Sequence, residues 1–231
     1  MVIAAAVVPH PPVLVPEIAQ GLAPDLDELR AACATAIDRL YRANPDEIVI
    51  IGAGPRQGTN VAATGSFHEY GLDLAVDGRW EAANGQAEPI TLPFLIGAWL
   101  LRDRPDTPVR RAVMVDASGS PEGLTASATR RQALLVLGDG SASRTPQAPG
   151  HFDERAEPYD RAVAEALATA DTKALAATDP DLSRRLHAAG LPVWQALAAA
   201  AEESGLEYDA ELLYDDAPYG VGYFVASWIA R

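Results

Sequence analysis

Val2-Ile3-Ala4-Ala5-Ala6-Val7-Val8-Pro9-His10-Pro11-Pro12 decides the fold of this chain. The apolar run Val2–Val8 reads as a buried strand. Pro11 and Pro12 can neither continue a ladder nor enter a helix freely, so the strand stops at His10. An imidazole is thereby set at the carboxyl end of a strand. If the chain is α/β, that is where open sheets place their ligands. A histidine there is a candidate metal ligand or acid–base group. Its other reading is a histidine that hydrogen-bonds a loop.

Working outward, strands alternate with helices. Pro24-Asp25 opens a helix with apolar positions at Leu26, Leu29, Cys33, Ile37 and Leu40, ending near Asn44-Pro45. Glu47–Ile51 is a second apolar strand, broken at Gly52-Ala53-Gly54-Pro55. Thr64–Leu74 and the stretch around Trp80 form a short antiparallel excursion. Pro93–Arg102 reads as a helix, Arg111–Val115 as a strand, Pro121–Arg130 as a short helix and Arg131–Leu137 as a strand. The last ends at Gly138-Asp139-Gly140-Ser141-Ala142-Ser143. Ala156–Ala170 is helical, and Lys173–Thr178 and Pro180–Ala189 are further helical pieces. Pro192 begins a helix that Gly205 ends. Leu206–Tyr214 and Gly222–Trp228 close the chain as strands. The pattern predicts a single α/β domain over residues 1–231, with a central mixed sheet flanked by helices.

Bulk properties exclude several function classes. A formal charge of −14 and a pI near 4.6 repel phosphate backbones and anionic membranes. We therefore expect no nucleic-acid and no membrane partner. No apolar stretch is long enough to span a bilayer. The opening lacks a basic segment and a cleavage site, so it reads as a core strand, and the expected location is cytoplasmic. Cys33 is the one cysteine and falls on an apolar helix face, which makes it a buried structural thiol. The glycines at 52, 54, 138 and 140 match neither a P-loop nor a dinucleotide fingerprint. Ser66, Ser118 and Ser141 lack a nucleophile-elbow context.

Three segments together carry a resemblance. They are Val8-Pro9-His10-Pro11-Pro12-Val13-Leu14-Val15-Pro16-Glu17, then Gly138-Asp139-Gly140-Ser141-Ala142-Ser143-Arg144 with Ala156–Asp160, and Ala217-Pro218-Tyr219-Gly220-Val221-Gly222-Tyr223. In this order the chain resembles the catalytic subunit of the class III extradiol ring-cleavage dioxygenase family. The resemblance implies an α/β sandwich of the phosphorylase-like kind. It also implies a ferrous ion, or another divalent metal, held by two histidines and a carboxylate. That set leaves positions open for a catechol and dioxygen. A further histidine moves protons.

Position by position, the match is incomplete. His10 fits the first histidine ligand. Gly54 stands where the second should be. Asp216, with Asp215 beside it, stands in place of the glutamate. Ala142 replaces the acid–base histidine. Glycine and alanine offer no lone pair. His68 and His151 could in principle stand in for the lost imidazoles, and His187 lies in a charged helical segment. Asp139 has two readings, as an acceptor orienting His10 or as a cap of its own turn. The implied expectation is a degenerate member without the ring-cleaving chemistry, a binding or interaction protein on that scaffold. The alternative is an active non-haem metal-dependent oxidoreductase using His10, Asp216 and a third ligand. Expected partners are a small aromatic ligand, and further copies of the chain or a second, different protein chain.

Overall fold

The computed structural model describes residues 1–55, 58–80, 87–117, 124 and 129–231. Its centre is a six-stranded mixed sheet. β1 (Val2–Val8), β2 (Glu47–Ala53), β5 (Val109–Val115) and β6 (Gln132–Leu137) form the parallel part. β7 (Tyr208–Asp216) and β8 (Tyr223–Ala230) form a closing antiparallel pair. The order is β5-β2-β6-β1-β8-β7, with β8 antiparallel to β1. β3 (Thr64–Ser66) and β4 (Ala75–Asp77) make a separate two-stranded excursion.

Strands buried on both faces explain the unbroken apolar runs. Val7, Val49, Ile51, Leu134 and Val136 face one core layer. α4 (Ala156–Thr169), α5 (Thr172–Ala177), α6 (Pro180–Arg185) and α7 (Leu191–Ser204) lie on that side. Val8, Ile48, Ile50, Leu135 and Leu137 face the other. There α2 (Asp27–Arg42) packs Leu29, Cys33, Ile37 and Leu40, and α3 (Leu92–Leu100) packs Phe94 and Ile96. A single-turn helix, α1 (Pro16–Ala19), precedes α2 in the chain and is too short to show in apolar spacing. The thiol of Cys33 is fully buried, and burial pushes it well above its ordinary range. Most of the helix expected over Pro121–Arg130 falls outside the described residues, and Ser118 lies outside them too. Among the described residues no helix is long and apolar enough to cross a membrane.

Parallel strands end on one edge of the sheet. β8 runs the other way, so its start lies at that same edge, and the register Asp216↔Tyr223 brings the β7–β8 turn there too. The edge therefore reads Ala117, Gly54, Asp139, His10, Tyr223, Asp216 in strand order. Five loops far apart in sequence meet there.

Candidate functional site

His10 leaves β1 at this edge and is 7% exposed. Asp139 follows β6, the neighbouring strand. Its Oδ1 accepts the backbone N–H of His10 at 2.7 Å and lies 3.6 Å from His10 Nδ1. The carboxylate thus holds the His10 main chain across the strand gap instead of capping its own turn. Nδ1 itself is buried without a hydrogen-bond partner. The Asp139 carbonyl accepts the N–H of Gly190, which fixes the loop to the start of α7.

Gly54 extends the β2–β5 pairing through its N–H to the Val115 carbonyl at 2.9 Å. A Cβ at this position would collide with Met114 Sδ and stand 2.7 Å from Met114 Cγ. Met114 is buried and fills the volume that a side chain at residue 54 would need. Ala142 bonds through its backbone only, donating to Leu186 and accepting from Gly150, both at 2.8 Å. Asp216 is exposed, and its Oδ1 accepts the N–H of Ala217 at 2.7 Å, within its own turn. Neighbouring strands lie about 4.8 Å apart. Gly54 and Asp216 each sit two strands from His10, on opposite sides of it.

His68 donates its N–H to Ser66 Oγ, which caps a short turn, and His68 is exposed. His151 and His187 are also exposed, and each has a left-handed backbone, with φ of 61° and 54°. Among the described residues no three His, Cys, Asp or Glu side chains are grouped so as to hold a metal ion. At position 54, where the resemblance implies a second imidazole, Met114 occupies the space a side chain would need.

The structure gives roles to residues for which the sequence reading named none. Tyr223 is buried. Burial, with the charge of Asp139, pushes its phenol above the ordinary range, so it stays protonated. Burial and the charge of Asp216 push Tyr214 up to about 12. Asp160 on α4 is completely buried. Its carboxylate accepts the Ser141 N–H at 2.8 Å, the Ser141 hydroxyl at 2.6 Å and the Arg144 guanidinium at 3.2 Å. Gly140 and Gly222 lie against it, and a Cβ on either would come within 2.8 Å of its oxygens. Gly140 N–H donates to the Gly222 carbonyl and Gly222 N–H to the Ser141 carbonyl. Asp160 thus pins the loop after β6 to the turn before β8. One signal could have found it: an aspartate on the same helical stripe as Ala156, Val163 and Leu167.

The chain matches no protein-family model, and no curated protein sequence is significantly similar to it.

Proposed function

We propose that this chain is a binding or interaction protein built on the scaffold of the class III extradiol dioxygenase family, without that family's iron chemistry. The observation that carries the proposal is Met114 in the space beside Gly54. A position that merely lost its histidine would leave a gap, whereas here the neighbouring strand supplies the side chain that fills it. Two further features support the reading. The proton-transfer histidine is replaced by Ala142, which has no side-chain donor or acceptor. His10 faces Asp139, and no group of three donors occurs among the described residues. The edge then serves to bind a small aromatic ligand or a partner.

Metal analysis tests this. Protein purified without chelator, then exposed anaerobically to ferrous iron and desalted, is expected to retain far less than one iron per chain. A panel of catechols should show no ring-cleaved product on aeration. Stoichiometric iron that disappears in His10→Ala, together with ring cleavage, would overturn the proposal.

A further inference from the structure

β7 is an edge strand of nine residues, and the sheet order places no strand beyond it among the described residues. The N–H of Arg231 donates to the Glu207 carbonyl at 3.0 Å, which marks those two residues as a bonded pair. Bonded and non-bonded pairs alternate along an antiparallel ladder. Asp209 opposite Ile229 and Glu211 opposite Ser227 are therefore the next bonded pairs. Tyr208, Ala210 and Leu212 turn their N–H and C=O groups the other way, outward from the sheet.

The two faces of this edge differ. Tyr208, Ala210 and Leu212 are half-buried against the core layer shared with α4 and α7. Asp209 and Glu211 point to the opposite side, where Glu211 meets Arg39 of α2 at 2.6 Å. β7 carries four carboxylates, Asp209, Glu211, Asp215 and Asp216, and no basic residue. Antiparallel pairing with a second copy, centred on Ala210, would set Asp209 against Glu211 of the other chain. Like charges directly opposite destabilise such a ladder. The ion pairs of Asp209 and Glu211 with Arg231 and Arg39 are exposed ones of the kind that contribute little, and a stronger partner can replace them.

We infer that β7 is a strand-addition site for an extended segment of a partner protein in which basic and apolar residues alternate. The segment's backbone pairs with the outward groups of Tyr208, Ala210 and Leu212. Its apolar residues lie beside Ala210 and Leu212, extending that core layer. Its basic residues lie beside Asp209 and Glu211. Main-chain bonds supply affinity and alternate side chains supply selectivity, as in other strand-addition complexes. The overall charge of −14 steers a basic segment to the protein. This inference stands apart from the chemistry at His10.

The test uses the full chain and a blocked peptide alternating lysine and valine, matched in length to β7. Shifts of backbone amide resonances and slowed amide exchange are expected at Tyr208, Ala210 and Leu212. Binding is expected to weaken as salt rises, and an alternating glutamate–valine peptide should not bind. Methylating the peptide's backbone nitrogens on its pairing edge blocks the ladder while keeping its charge, and should lower affinity at least about tenfold. Ala210→Pro removes one outward N–H and should do the same from the protein's side. Equal binding of parent and methylated peptides would reduce the effect to charge adhesion and overturn the inference. So would unprotected β7 amides. A concentration-dependent dimer that protects the same amides without peptide would overturn it in favour of a second copy. None of these outcomes alters the iron measurement above, so the two ideas fail separately.

Discussion

Asp160→Ala probes the packing of the candidate site most directly. The aspartate is wholly buried and accepts three hydrogen bonds, from the backbone and hydroxyl of Ser141 and from Arg144. Alanine removes all three and leaves the Ser141 N–H buried and the Arg144 guanidinium, 24% exposed, without its carboxylate. Breaking a buried ion pair from one side costs about 3–5 kcal/mol. For a domain of this size each kcal/mol shifts the thermal midpoint by roughly 2–4 °C, so the midpoint should fall by roughly 6–20 °C. Asp160→Asn retains one acceptor for the Ser141 N–H and should cost less, about 1–3 kcal/mol. The acid dependence has a definite sign. Burial pushes the Asp160 carboxyl above its ordinary 3.8, against the opposing pull of Ser141 and Arg144. The folded state therefore holds this proton more tightly than the unfolded chain. That contribution is complete below 3.8 and is lost as pH rises through the raised native value. The stability advantage of the native protein over Asp160→Asn should shrink as pH rises through that window. Urea unfolding of the three proteins across pH is the assay. An alanine variant within about 1 kcal/mol of the native protein would refute the assignment of Asp160 as the pin between the two loops.

Three further outcomes are expected. Gly54→His should be destabilised by about 1–3 kcal/mol through overpacking against Met114, and Gly54→His/Met114→Ala should recover much of that loss in thermal unfolding. Cys33 should resist thiol reagents in the native protein and react only on denaturation, because it is buried and held protonated; rapid native labelling would contradict its placement. Arg110 is 5% exposed and donates to the carbonyls of Gly78, Leu101, Arg104 and Pro105 and to the Tyr41 hydroxyl. Arg110→Lys should lower the unfolding free energy by about 1–3 kcal/mol, since an ammonium cannot reproduce that fan of donors; an unchanged urea midpoint would count against it.

Most of the described strands and longer helices were legible in the chain. Val2–Val8 and Glu47–Ile51 are apolar without a break because both faces of their strands are covered. Leu29, Cys33, Ile37 and Leu40 recur at helical spacing because one face of α2 is buried. β1 ends at Val8, before Pro9, and Pro11 and Pro12 keep the chain from resuming a ladder after His10 by backbone chemistry alone. The meeting of four of the five loops at one edge was also foreseeable, because parallel strands end on the same side.

The strand order and the occupancy of the site were decided only by tertiary structure. Local periodicity says that a strand is buried but not which strand lies beside it, so β6 between β1 and β2 is invisible in the sequence. The resemblance implies an imidazole where the sequence has Gly54, but only the pairing of β2 with β5 shows Met114 in that space. Asp139 could have capped its own turn, and the neighbouring position of β1 gave its carboxylate the His10 N–H instead. The sequence alone thus determined the repertoire of strands, helices and breaks, through backbone sterics and apolar spacing. The packing of distant segments decided which side chains share a space, because close contact is set by volume and hydrogen bonding across the sheet and not by separation along the chain.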